Sequence, residues 1–221
     1  MHEIIRNKPI NISGVLDDAK PRGIIHCGAF LAEELPIYES HGIKNVCWIE
    51  ADPNTFNELK KILVNRDNDV LINVAVCDKN EVKPFYVMDN GASSSLLKPT
   101  GHLDKYPTVK YTNEINVIGR KLDSLVSDGL INMDRYDFLY MDLQGGEFLA
   151  LRGFERNIYD INYILAEINY EELYEGCMLI DDFDRYLWEN GFEKQYATIH
   201  ETVGWGDAYY KRHIPRGVVK F

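Results

Sequence analysis

The stretch from Ile24 to Pro53, IIHCGAFLAEELPIYESHGIKNVCWIEADP, constrains the fold more than any other part of this chain. Ile24 and Ile25 run into His26, Cys27, Gly28 and Ala29, while Val46, Cys47, Trp48 and Ile49 run into Glu50. Strand, glycine turn, helix, strand and acid in that order describe a βαβ unit. Glu50 follows Gly28 by roughly the 20 residues at which such a unit sets an acid against ribose hydroxyls. A glycine lets the backbone pass close to a ligand, and the start of a helix offers free N–H groups. The unit therefore suits an adenosine-containing cofactor, with Gly28, Ala29, Glu50 and Ala51 as binding candidates. His26 is added as a cofactor-side neighbour, although a strand-end histidine also serves as a hydrogen-bonded structural residue. The turn holds one glycine where a dinucleotide fingerprint has three, so the acid at the right distance carries the motif.

Downstream the rhythm continues. Asp52-Pro53 is an N-cap followed by proline at the first helical position, and Phe56, Leu59 and Leu63 recur at helical spacing. Val70 to Val76 forms a short apolar run suited to a third buried strand. From Asp78 to Asn116 the periodicity fails. Lys83 to Val87 suits an edge strand, and residues 88–116 gather glycine, serine, proline and tyrosine, which reads as a lid or acceptor loop rather than a mobile surface segment. Leu122 to Val126 is expected to be helical. Asp137 to Asp142 is an apolar strand ending in an acid, and a glycine turn then leads into a short helix closed at Gly153. Tyr163 to Ala166 is a further strand, ending at Glu167. A helix from about Asp181 to Asn190 precedes a hairpin of Glu193 to His200 with Asp207 to Arg212. Three strands thus end in carboxylates (Glu50, Asp142, Glu167), where open α/β sheets bind ligands.

At 221 residues the chain is expected to form a single domain over 1–221, with 1–20 as an N-terminal extension. The formal charge of −11 argues against nucleic acid as partner, because phosphate backbones are met by clustered Lys and Arg. The first residues lack the apolar core of a signal peptide, and no run is long enough to span a membrane, so a cytoplasmic protein without a membrane partner is expected. Cys27, Cys47, Cys77 and Cys177 show no CxxC pairing, which argues against structural zinc and disulfides.

In order and content these segments resemble the FkbM family of S-adenosylmethionine-dependent methyltransferases. IIHCGAFLAEE, WIEADPNTFNELKK, INVAVCD, NGASSSLL and DFLYMDLQGGEFLALRGFE carry the resemblance, with GWGDAYYKR as a weaker match. Two departures stand out. Leu31-Ala32 occupies a place where the family has a further glycine, and Gln144 stands where its Asp-Val-Glu-Gly-Ala-Glu motif has a carboxylate. The resemblance implies a Rossmann-like class I methyltransferase α/β fold. Its mostly parallel seven-stranded sheet would carry helices on both faces and end in the antiparallel hairpin.

It further implies methyl transfer from S-adenosylmethionine, with S-adenosylhomocysteine as product, to a hydroxyl of a sugar, glycan or natural-product acceptor. A neutral hydroxyl must lose its proton as it attacks, so a carboxylate or histidine within reach is required. Asp142 is the first candidate for catalysis, with Glu167 and His200 behind it. On the cofactor side Glu33 and Glu34 are candidates for the amino group, of which Glu33 is preferred. Ala75 and Val76 are candidates for the adenine site, Ser94 among the serines for the carboxylate, and Asp142 again. Trp205 and Asp207 lie in a loop able to cap an acceptor pocket. A magnesium site on Asp142 and Glu167 is chemically allowed, but no ligand spacing demands one and none is expected. The alternatives are a small nicotinamide-dependent oxidoreductase and a non-catalytic adenosyl-ligand-binding module. The acceptor and the oligomeric state are not specified by the sequence.

Overall fold

The structure is a computed structural model that describes residues 3–213. The chain enters through β1 (Glu3–Arg6) and α1 (Ile12–Ala19), then runs β2 (Ile24–Cys27), α2 (Leu35–Ser40), β3 (Val46–Glu50), α3 (Pro53–Ile62), β4 (Val70–Asn73) and β5 (Ala75–Val76). β6 (Glu81–Met88), α4 (Gly101–Lys105), β7 (Tyr111–Arg120) and α5 (Leu122–Ser127) follow. The second half comprises β8 (Phe138–Met141), α6 (Glu147–Arg152), β9 (Tyr163–Asn169), α7 (Ile180–Glu189), β10 (Phe192–Ile199) and β11 (Trp205–Arg212).

Eight strands form one sheet in the order β1-β10-β11-β9-β8-β2-β3-β4, and β5-β7-β6 form a second. In the large sheet only β11 runs antiparallel to its neighbours. Successive residues of the central strands point to opposite faces, so an apolar run buries two cores at once. Ile25, Ile49, Leu139 and Ile164 pack against α5, α6 and α7 through Leu122, Leu151 and Phe183. Ile24, Trp48, Phe138 and Leu165 pack on the other face against Val15, Tyr38 and Leu59 of α1, α2 and α3. α3 starts where the sequence requires, because Asp52 accepts from the Asn54 N–H, proline fills the first turn, and Lys60 and Lys61 meet the negative helix end.

Three expectations are corrected. The sheet has eight strands rather than seven, because β1 pairs in parallel with β10 through Glu3 to Arg6, and α1 buries Val15, Leu16 and Ala19. Residues 3–20 are therefore part of the packed fold rather than an extension. Val70 to Val76 is not one strand. It bends at Val74, and β5 leaves the large sheet to pair with Gly119 and Arg120 of β7. The irregular segment is shorter than 88–116, because Tyr111 to Asn116 belongs to β7 and Lys83 to Val87 lies within β6, an edge strand of the small sheet. β7 escaped notice because its sequence, YTNEINVIGR, buries Val117 and Gly119 while most of its other side chains stay exposed, leaving little alternation to read.

Candidate active site

β2 is flanked by β3 on one side and β8 on the other, so the chain order reverses there. Crevices outside the carboxyl ends of strands at such a reversal are where open α/β sheets hold ligands. Gly28 closes β2 with φ +83°, and a Cβ on it would come within 1.8 Å of the Asp142 carbonyl oxygen. The close approach that demands glycine is thus to the backbone at the end of β8, and Asp142 N–H completes the contact by donating to Cys27 O at 3.0 Å. Beyond it the connection to the helix is longer than the sequence suggested, with Glu33 and Glu34 ahead of the helix. α2 begins at Leu35, and Phe30 and Ala32 both take positive φ, the conformation a further glycine would supply. The departure at Leu31-Ala32 is a change of residue with the left-handed backbone retained.

Glu50 sits on this turn. Its Oε2 accepts from the Phe30 N–H at 2.9 Å and its Oε1 from the Asp52 N–H at 2.8 Å. The Asn73 side chain donates to the Glu50 and Ala51 carbonyls at 2.8 and 3.1 Å, fixing the end of β3. Burial pushes the Glu50 carboxyl up to about 7, against the pull of these backbone donors. Around it opens a cleft of about 810 Å³. Its apolar wall is Ile49, Ala51, Val74, Ala75, Val76 and Phe85, and its acidic side is Glu33, Glu34, Glu50 and Asp142. Of the sequence candidates, Gly28, Ala29, Glu33, Glu50, Ala51, Ala75, Val76, Ser94 and Asp142 all line it. The Ser94 hydroxyl accepts from the Met88 N–H at 3.0 Å. His26 does not line it. Its ring is buried among Tyr38, Trp48 and Tyr140, with Nδ1 at 3.1 Å from the Tyr38 hydroxyl, and burial lowers its pKa to about 3.

A second cleft, of about 990 Å³, adjoins the first, and Ala92 and Asp142 line both. Its walls are aromatic (His102, Tyr106, Tyr140, Tyr174, Trp205) and its charged groups are Asp142, Glu167 and Asp207. Gln144 organises the acids. Its Nε2 donates to Asp142 Oδ1 at 2.7 Å and to Glu167 Oε2 at 2.9 Å, and its Oε1 accepts from the Tyr174 hydroxyl at 2.8 Å. Ser95 ties the irregular segment to the same residue by donating to Gln144 O at 2.8 Å. Glu147 stays behind this turn, where Oε1 accepts from the Leu143 N–H at 2.7 Å.

Burial raises all three acids of the second cleft, with repulsion from Asp142 adding to it for Glu167 and Asp207 and repulsion from Glu33 for Asp142. Asp207 rises to about 7 and Glu167 well above the usual carboxylate range, and Asp142 shifts in the same direction. Glu34, beside the first cleft, rises to about 7 for the same reason. No Lys or Arg lines either cleft among the described residues. His200 is not brought to Asp142 and Glu167: it pairs with Trp205 through its backbone and packs its ring on the indole at 4.6 Å, behind the wall of the second cleft.

His102, Tyr140, Tyr174 and the bridging role of Gln144 were not foreseen. His102 and Tyr106 lie in the irregular segment, where no periodicity marks a face. Trp205 and Asp207, expected in a capping loop, do line the second cleft but lie on β11, where Asp207 stands opposite Glu167 in the β9–β11 ladder.

A family model described as the methyltransferase FkbM domain matches residues 26–194. The chain belongs to the FkbM methyltransferase family. The 2-O-methyltransferase NoeI of Sinorhizobium fredii is 28% identical over 134 residues. That match covers 58% of this chain and 54% of NoeI, so the chain spans about half the length of this curated relative. Among solved structures, Streptococcus pneumoniae Sp1610, described as a tRNA (m1A22) methyltransferase and bound to S-adenosyl-L-methionine, superposes with a TM-score of 0.50. Identity is 11% over 96% of this chain and 76% of that one, a likeness of fold alone. The methyltransferase domain of bacterial CtHen1-CN gives a TM-score of 0.48 at 11% identity over 90% of this chain and 95% of that one.

Membership of this methyltransferase family implies S-adenosylmethionine as cofactor, and the first cleft fits that molecule chemically. A sulfonium and an ammonium are cations, and the cleft offers acids with no opposing Lys or Arg among the described residues. An apolar wall lies at the Glu50 end, where a nucleobase needs one. No helix among the described residues is long and apolar enough to cross a membrane, and no metal-holding group of His, Cys, Asp and Glu is found among them.

Proposed function

We propose that this FkbM methyltransferase transfers the methyl group to a hydroxyl oxygen of a sugar, glycan or natural-product acceptor seated in the second cleft. The observation that carries this reading is the position of Asp142, which lines both clefts and so stands where donor and acceptor meet. When bound, S-adenosylmethionine supplies an electrophilic methyl carbon. Glu50 would hold the ribose hydroxyls, Ala75 and Val76 would line the base, and Glu33 with Asp142 would face the cationic end. Ser94 borders the same cleft. Holding the reactants in line while excluding water supplies most of the acceleration such a reaction needs.

Asp142 takes the hydroxyl proton. Its raised affinity for a proton brings it closer to that task than an ordinary surface carboxylate would be. Glu167, linked to it through the Gln144 amide, stabilises the charge distribution without being the first acceptor of the proton. The 2-O-methyltransferase activity named for the relative NoeI supports an oxygen acceptor. The acidic second cleft and the net charge of −11 disfavour a phosphate-bearing acceptor, nucleic acid included.

The test is transfer from methyl-labelled S-adenosylmethionine to a panel of methyl glycosides, phenols and RNA, read by mass spectrometry. An O-methyl ether on a glycoside supports the reading; labelled RNA with unlabelled glycosides overturns it. Asp142→Asn is expected to lower kcat by about 100-fold or more and, because Asp142 also faces the cationic end of the cofactor, to weaken S-adenosylmethionine binding as well.

A further inference from the structure

His102 is the buried polar group of the second cleft that the network around Gln144 leaves out. It lies on α4, within the irregular segment that crosses the site, and is 5% exposed. Its ring stacks on Tyr106 at 4.8 Å and packs against Tyr174 at 5.4 Å, so its orientation is fixed from two sides. Tyr106 is held in turn by the Trp205 indole N–H, which donates to its hydroxyl at 2.7 Å. Yet Nδ1 is buried without a hydrogen-bond partner. Buried polar atoms are nearly always paired, and an unpaired one on a residue that lines a ligand cleft points to the ligand as its partner.

The place of the residue says which part of the ligand that is. Asp142 lines both clefts, whereas His102 lines only the second. We propose that His102 is an acceptor-recognition residue, whose Nδ1 forms a hydrogen bond with a polar group of the acceptor other than the hydroxyl that is methylated. This deepens the reading of the second cleft as an acceptor site and rests on it. The acceptor must then carry at least two hydrogen-bonding groups, one at Asp142 and one at the aromatic wall, so a monofunctional alcohol would be a poor substrate. Burial lowers the pKa of the imidazole, so the ring is neutral near pH 7 and offers either a donor or an acceptor at Nδ1 according to its tautomer.

The experiment uses the full chain with S-adenosylhomocysteine present and the methyl glycosides of glucose, galactose and mannose as probes. The imidazole nitrogens are followed by NMR on histidine-labelled protein, and binding is measured by calorimetry. The best-binding glycoside is expected to shift the His102 Nδ1 resonance, and His102→Phe, which keeps an aromatic ring, is expected to weaken that glycoside about fivefold to tenfold. S-adenosylhomocysteine affinity should be unchanged, and His102→Gln should recover part of the loss. If a glycoside binds while the resonance stays still and His102→Phe binds equally well, the role of His102 is overturned and the acceptor cleft stands. If no glycoside binds the wild-type protein, both fall together.

Discussion

Asp207 and Glu167 stand directly opposite one another in the antiparallel β9–β11 pair. Burial, and then repulsion from the nearby Asp142, makes each carboxyl hold its proton more tightly than an exposed one. The Gln144 amide donates to Glu167, and Thr198 lies beside Asp207 at 3.4 Å, but neither neutralises a full charge. Asp207, raised to about 7, therefore changes its protonation state near neutral pH.

That arrangement sets how stability responds to pH. Acids whose folded pKa lies above the unfolded value stabilise the fold at low pH and cost stability as pH rises through the folded value. Glu34, Glu50 and Asp207 rise to about 7 and Glu147 to about 8. The ligand-free protein is expected to lose melting temperature from pH 6 to pH 8.5, and Asp207→Asn to lose less. Scanning calorimetry at both pH values checks this, and an equal decline in the two proteins would count against it.

Gln144→Glu restores the residue usual in the family motif, but here it would replace a donor shared by two carboxylates with a third carboxylate. At pH 8 the ligand-free variant is expected to be less stable by about 1–3 kcal/mol. At pH 5.5 the loss should shrink, because the new carboxyl can keep a proton and donate it. Urea unfolding at the two pH values distinguishes this from a pH-independent packing defect.

Glu50→Gln sets an amide NH₂ against one of two backbone N–H donors, Phe30 or Asp52, and removes a negative charge from the end of the cleft proposed to hold the ribose. S-adenosylmethionine should bind at least about tenfold more weakly, a change of roughly 1.4 kcal/mol. Calorimetric titration measures it, and unchanged affinity would remove Glu50 from the cofactor site.

Gly28→Ala places a methyl against the Asp142 carbonyl and imposes a side chain on a positive φ. Strain and overpacking together should cost about 2–5 kcal/mol of stability. Gly42 offers a control: its φ is also positive, but a Cβ there meets nothing within 4 Å, so Gly42→Ala should cost less.

Much of this site could be read from the sequence because parallel strands write it plainly. Apolar runs leading to Glu50, Asp142 and Glu167 announce buried strands, and the acids converge where the sheet reverses, although β9 does not end at Glu167 as expected but runs on to Asn169. What stayed hidden depends on contacts between distant segments. Nothing local tells that β5 abandons the large sheet at Val74, that Gln144 spans two acids, or that the ring of His102 reaches the wall where Trp205 stands. His26 illustrates the opposite error. Its place at a strand end suggested a ligand contact, yet neighbouring Tyr38, Trp48 and Tyr140 enclose it.

The departure of β5 at Val74 leaves the first cleft with walls of different parentage: Glu50 and Asp142 end strands of the large sheet or follow them, while Ala75, Val76 and Phe85 belong to the small one. A molecule filling that cleft touches both bodies and acts as a rivet between them. Its binding free energy is added to whatever already resists their parting, by an amount that grows with the logarithm of ligand concentration.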